Sequence, residues 1–214
     1  MSWYSSLLPQ KIFFHSKING SITLFSFFGK KTLIVGGATQ SGGFTLSMWE
    51  KAIKKFKNEK LKIKNCLVLG VGGGTVINIL KKYFPDIYIT GIEIDPIMKK
   101  IARKYFDIIP NNSTNIIVAD AFSWLENKSK ALLFDLIIID LYIGRLNPAE
   151  AREESFLIRL KKLLTKKGII LFNSHYNEGK LQEYNKLIKY FQKNFSEVKT
   201  EAKYPLSRLL KLTN

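Results

Sequence analysis

Four short stretches of this chain end an apolar run with residues that can hold a ligand. "LGVGGGT" carries Gly70, Gly72, Gly73 and Gly74; "GIEID" carries Glu93 and Asp95; "VADA" carries Asp120 and Ala121; "IIDLYIG" carries Asp140. Glycines let a backbone turn sharply and approach a ligand closely, and a helix starting behind them offers unpaired N–H groups. Glu93 lies 19 residues after Gly74, close to the spacing at which an acidic residue meets a ribose diol. An ionised carboxylate accepts both hydroxyls of such a diol, and Asp120 suits an amino group of a base. Asp95 stands directly before Pro96 and reads as a helix cap rather than a ligand. Asp140 ends the apolar run of the fourth stretch with a further carboxylate.

These residues act together only if the elements bearing them deliver them to one edge. "CLVLG", "DIYITGIEID", "NIIVAD", "LFDLIIID" and "IILFN" read as strands. They alternate with helical patterns at "TVINILKKYF", "PIMKKIARKYF", "AFSWLENK", "AEAREESFLIRLKKLLTKK" and "EGKLQEYNKLIKYFQKNF". Gly168 is the expected C-terminal stop of the fourth of these helices. Uninterrupted apolar strands alternating with helices predict a parallel sheet covered on both faces, which binds ligands at the carboxyl ends of its strands. "SEVKTEAKYPLSRLLKLTN" adds two strands around Tyr204-Pro205. The fold class is therefore α/β, a Rossmann-like seven-stranded sheet whose final hairpin is antiparallel.

The first 44 residues differ. They alternate apolar and polar residues, with Asn19-Gly20 and Gly29-Lys30 between runs, which predicts three antiparallel strands near 11–18, 21–28 and 31–36. The expected organisation is a small β-hairpin domain over 1–44 and a nucleoside-binding domain over 45–214, whose first helix starts at Thr45. So small a sheet must pack on the larger domain or on another subunit, which leaves a homodimer open.

Composition bounds the rest. The chain has 214 residues, 46% hydrophobic and 24% charged, ordinary for a globular protein able to bury roughly 70% of its extended surface. No run approaches the length of a membrane span, and the N-terminus lacks the layout of a signal peptide. A single cysteine, Cys66, lies inside a strand and fits a reducing cytoplasm. His15 and His175 are far apart in sequence and suggest no metal site. The net charge of +17 comes from 29 Lys and only 5 Arg. Nucleic-acid readers lean on Arg, so this charge is read as composition bias over the surface, not as a nucleic-acid face.

The order of these elements resembles class I S-adenosylmethionine-dependent transferases, and within them the spermidine synthase (polyamine aminopropyltransferase) family. Three features carry the likeness: Val68 two residues before the first glycine, "GGG" leading into a helix and then "EIDP", and N-terminal hairpins ending in "LIVGGATQS". The resemblance implies a donor, S-adenosylmethionine or its decarboxylated form, held by the Gly70–Gly74 loop, Glu93, Asp120 and Ala121 with Gln40 nearby. It implies that the partner is a small amine acceptor and that Asp140 is the catalytic aspartate, orienting the acceptor's ammonium and taking its proton, with capping of the loop or orientation of the methionyl amino group as the alternative. The chain departs from the family where polyamines bind. Thr45 and Leu46 stand in place of an Asp-Glu pair, Trp49 in place of a Tyr, and Ile143 in place of a second loop acid. Trp49, Tyr142 and Ile143 are thus expected to line the acceptor pocket, with Arg145 on the same loop, and putrescine is a doubtful acceptor. Two readings stand beside the leading one: a methyltransferase on the same scaffold, and a non-catalytic nucleoside-binding protein with a basic surface.

Overall fold

The computed structural model describes residues 8–127, 132–143, 147–175, 181–204 and 207–214. Arg145 and Pro205 lie outside that set, as does the side chain of His175. The first element is a four-stranded antiparallel sheet in chain order: β1 (Gln10–Ser16), β2 (Gly20–Phe27), β3 (Lys30–Val35) and β4 (Ala38–Ser41). The sequence reading lacked β4. Gly36 and Gly37 both take positive φ, 54° and 78°, and turn the chain back so that Val35 faces Ala38. A two-residue Gly-Gly hairpin satisfies this geometry without steric cost.

The larger sheet follows: α1 (Gly43–Asn58), β5 (Asn65–Leu69), α2 (Thr75–Tyr83), β6 (Tyr88–Glu93), α3 (Pro96–Tyr105), β7 (Thr114–Val118), α4 (Ala121–Glu126) and β8 (Phe134–Ile139). A 3-10 turn at Ala149–Arg152 then leads into α5 (Glu154–Lys162), β9 (Leu164–His175), α6 (Leu181–Asn194), β10 (Glu197–Tyr204) and β11 (Ser207–Thr213). The strand order is β10-β11-β9-β8-β5-β6-β7, with β5 through β9 parallel and the last hairpin antiparallel. This is the expected α/β fold.

Alternation along the central strands fills both faces. Cys66 and Val68 point into one core with Trp49, Ile53 and Phe56 of α1, while Leu67 and Leu69 point into the other with Leu157 and Leu160 of α5. A third cluster joins the small sheet to α3, packing Ile22, Leu24, Leu33 and Val35 on Met98 and Ile101. Burying each such aliphatic side chain is worth about 1.5–3 kcal/mol. His15 is exposed on β1, and Cys66 is buried, where desolvation pushes its thiol well above the usual range.

Gly168 corrects one expectation. The helix before it ends at Lys162, and Gly168 lies within β9 instead. The pairing with β8 slips between Phe134↔Leu164 and Leu136↔Ile169, so the intervening residues bulge. A β-carbon at Gly168 would come within 2.9 Å of the Phe134 carbonyl oxygen, which explains the glycine. Thr165, Lys166 and Lys167 continue the helical polarity in sequence but occupy the bulge in space.

Candidate functional site

The carboxyl ends of β5, β6, β7 and β8 form one edge, and the glycine loop after β5 sits at its centre. Gly70 has φ 85° and donates its N–H to the Ile92 carbonyl at 2.9 Å. A β-carbon at this position would overlap the Asp140 carbonyl oxygen, so the loop and the end of β8 touch backbone to backbone. Gly72, with φ 55°, turns the chain again, and Gly74, with φ 84°, opens α2. The small sheet is stitched to this loop: Gly73 donates its N–H to Ser41 Oγ at 2.8 Å, and Gly42 to Thr75 Oγ1 at 3.1 Å.

Glu93 lies beneath the loop, only 6% exposed. Its Oε2 accepts the N–H groups of Val71 at 3.1 Å and Gly72 at 2.9 Å, and its Oε1 accepts that of Asp95 at 3.0 Å. Burial raises its pKa, while the three backbone amides oppose the rise. A carboxylate has about four acceptor positions, so three amide bonds leave room for one ligand hydroxyl more readily than two. Asp95 caps α3 through the Ile97 N–H at 2.8 Å, as its sequence position predicts. Its other oxygen accepts from the Asn19 side chain at 2.7 Å, which pins the first hairpin turn to α3. Asp120 caps α4 through the Ser123 N–H at 2.8 Å, using one of its two oxygens.

Asp140 follows β8 and is half-buried against Asn173 of β9, whose Nδ2 donates to Asp140 Oδ1 at 2.8 Å. Desolvation raises its pKa from 3.8 to about 6; Asn173 and the Trp49 indole counter the rise, and the Glu93 charge adds to it. The Trp49 Nε1 is itself buried and makes no hydrogen bond of normal geometry. The Tyr142 hydroxyl donates to the Asn173 carbonyl over a long 3.5 Å, and its pKa is pushed well above the usual range, chiefly by burial. Asn147 ties the same loop down by donating to the carbonyls of Leu141 at 2.8 Å and Asn173 at 3.1 Å.

These elements enclose a cleft at the sheet edge that is partly open to solvent. Of the residues singled out in the sequence, Gln40, Gly70, Gly72, Glu93, Asp120, Ala121, Asp140, Tyr142 and Ile143 line it. Gly73, Gly74 and Trp49 do not. Gly73 and Gly74 pack against Ser41 and Ile108, and Trp49 is wholly buried in the core behind Asp140. The sequence reading missed Asn19, Met98, Phe122 and Pro148 in the lining, and Asn173 behind Asp140. Asn173 carried a usable signal, a polar residue ending an apolar strand. Phe122 and Met98 lie close to residues already singled out, but nothing in their own types marks them as lining the cleft. No group of three or more His, Cys, Asp or Glu with metal-binding geometry occurs among the described residues, and no described helix is long and apolar enough to cross a membrane.

Comparison with known proteins identifies the arrangement. The chain is 29% identical over 124 residues to a polyamine aminopropyltransferase from Vibrio vulnificus, covering 58% of this chain and 41% of that protein. It is 30% identical over 117 residues to an eEF1A lysine and N-terminal methyltransferase homolog from Drosophila pseudoobscura pseudoobscura, covering 51% of this chain and 17% of that one. The chain thus spans well under half of either relative. Among solved structures, a probable spermidine synthase from Corynebacterium glutamicum superposes with a TM-score of 0.78 at 17% identity, covering 96% of this chain and 81% of that one. Human methyltransferase-like protein 13, solved in complex with SAH, superposes at 0.65 with 20% identity, covering 78% and 79%. The family profile described as the spermine/spermidine synthase domain matches residues 13–209, so the chain belongs to that family.

Proposed function

We propose that the protein is a transferase that moves an alkyl group from S-adenosylmethionine or its decarboxylated form to an amine nitrogen. The observation that carries this reading is the placement of a desolvated carboxylate, Asp140, on the same cleft as the glycine loop and Glu93. The residues present fit an adenosyl donor. Gly70 and Gly72 expose backbone, Glu93 is held in place by amides, and Asp120, Ala121 and Gln40 line the same cleft. When bound, such a donor supplies a carbon made electrophilic by a positively charged sulfur.

The chain's own residues handle the acceptor. An alkyl ammonium has an unperturbed pKa near 10 and must lose a proton before its nitrogen can attack. Asp140 lies where it can orient that cation and accept the proton, and desolvation makes it a stronger base than an ordinary aspartate. Raising a carboxyl from 3.8 to about 6 narrows the proton-transfer gap by about 3 kcal/mol. Asn173 keeps the carboxylate aimed, while Tyr142, Ile143 and Pro148 close the cleft beside it.

The acceptor side offers no second acid at the family's positions. Ile143 is 68% exposed at the cleft, Leu46 is exposed and Thr45 half-buried. A diamine dication would leave one ammonium unpaired there, so a monocation or a less charged amine is the better fit. The likeness to lysine and N-terminal methyltransferases favours methyl transfer as a second reading, again to an amine nitrogen.

The test supplies purified protein with decarboxylated S-adenosylmethionine or S-adenosylmethionine, each against an amine panel, and follows the nucleoside products. Turnover with either donor that Asp140→Asn reduces at least 100-fold is the expected result. Absence of binding to any adenosyl-sulfur nucleoside by calorimetry refutes the reading in favour of a protein without this chemistry.

A further inference from the structure

Asp140, at the end of β8, heads a chain of hydrogen bonds that runs through two buried side chains, Asn173 of β9 and Ser207 of β11. Its Oδ1 accepts Asn173 Nδ2 at 2.8 Å, and Asn173 Oδ1 accepts the Ser207 hydroxyl at 2.5 Å. Asn173 is 4% exposed and Ser207 6%. The register places them together: β11 runs antiparallel to β9, with Ser207 opposite His175 and Leu209 opposite Asn173.

An asparagine amide has a donor end and an acceptor end. The end that faces Asp140 decides which form of the acid is favoured. The NH2 group stabilises the carboxylate, whereas the carbonyl would accept from the protonated acid. A hydroxyl donating to Asn173 Oδ1 makes the NH2-inward orientation the satisfied one. It also polarises the amide, since linked hydrogen bonds strengthen one another in a low-dielectric interior. Without that hydroxyl, the same orientation would leave a buried carbonyl oxygen without its partner, a costly arrangement.

We propose that Ser207 and Asn173 are positioning residues that hold Asp140 aimed and ionised, Ser207 acting through the Asn173 amide. The titratable groups that bear on the Asp140 carboxylate, among the described side chains, are Glu93 from β6 and Tyr142 on its own loop; the Trp49 indole contributes from α1. Ser207 bonds to Asn173 Oδ1 and is not part of the cleft lining, so the hydroxyl provides a handle on Asp140 that leaves the cleft wall untouched. The proposal rests on the transferase reading only for its consequence on rate.

The experiment follows the Asp140 carboxyl carbon by 13C NMR against pH in the ligand-free protein, with its resonance assigned by its loss in Asp140→Asn. Ser207→Ala is expected to move the Asp140 midpoint up by about one pH unit, a tenfold rise in proton affinity. In the amine-transfer assay the acid limb of kcat/KM should move up with it, while the dissociation constant for the adenosyl nucleoside stays within twofold. Ser207→Thr should restore both. If Ser207→Ala fails to fold, Ser207→Val compared with Ser207→Thr gives the same reading, because those two side chains share a shape and differ in the hydroxyl. Superimposable Asp140 titrations with and without the hydroxyl overturn the relay, whatever the activity. A shifted titration in a protein that turns over no amine supports the relay and removes the transferase reading instead.

Discussion

Asp140→Asn separates the cost of the site from its use. In the unfolded chain this carboxyl titrates near 3.8, and in the fold near 6. Between those values the folded state holds the proton more tightly than the unfolded state does. Stability therefore declines as pH rises from about 4 to about 6, and the full penalty is present above about 7. The difference between the two values corresponds to about 3 kcal/mol. Asparagine has nearly the same shape, keeps an oxygen for the Asn173 amide, and carries no charge to desolvate. The variant should therefore be more stable than the parent by up to about 3 kcal/mol at pH 8. Near pH 3.5 that advantage should vanish. Urea denaturation at half-unit steps between pH 3.5 and 8 measures it, with the slope in urea serving to check that both proteins unfold in the same way. A stability difference that does not change with pH refutes the argument, since it would mean that Asp140 is not desolvated in the fold. Activity should move in the opposite direction, because the proposed base is the ionised form; a site that costs stability in order to act is a familiar trade-off.

Glu93→Gln should weaken adenosyl-nucleoside binding by about 2–3 kcal/mol, roughly 30- to 150-fold by calorimetry, because it turns an acceptor oxygen into a donor facing the Val71 and Gly72 amides. Gly70→Ala should destabilise the fold by about 2 kcal/mol or more in chemical denaturation, since φ is 85° and the added carbon overlaps the Asp140 carbonyl. Ile143→Asp should raise aminopropyl transfer to putrescine at least about tenfold over the parent by placing an anion at the exposed lip of the cleft; unchanged putrescine turnover would show that the missing acid is not what limits it. Affinity for DNA or RNA should be weak and should fall steeply with added salt; tight sequence-selective binding at physiological salt would show the Lys-rich surface to be a functional one.

The central sheet was legible because its strands are uninterrupted apolar runs that end in glycine or acid, and those endings are where ligands bind. Asp95 was legible for a local reason, its place before Pro96. Other features are set by contacts between distant parts of the chain. The β9 bulge looks helical in sequence because Lys166 and Lys167 continue a polar phase; only the Phe134 carbonyl shows why Gly168 is there. Asn19 reads as a turn residue, yet its side chain crosses to Asp95, 76 positions away. Trp49 was expected on the acceptor wall from its alignment with a pocket tyrosine, but the apolar face of α1 turns it into the core. Glu93 illustrates another limit. Its spacing suggests a ribose ligand, whereas its three amide bonds also make it the brace of the glycine loop.

The backbone contact between Gly70 and Asp140 bears on how such a site can diversify. The glycine turn and the end of β8 are fitted to each other without an intervening side chain, so on the proposed reading neither the donor turn nor the base can drift alone. Tyr142, Ile143 and Pro148 line the cleft from beyond the strand end, where the hold on the chain is by side-chain hydrogen bonds such as those of Tyr142 and Asn147. If the proposed roles hold, a lineage, or an engineer, can exchange one acceptor for another by rewriting that loop while the Gly70 turn and Asp140 pass unchanged from one enzyme to the next.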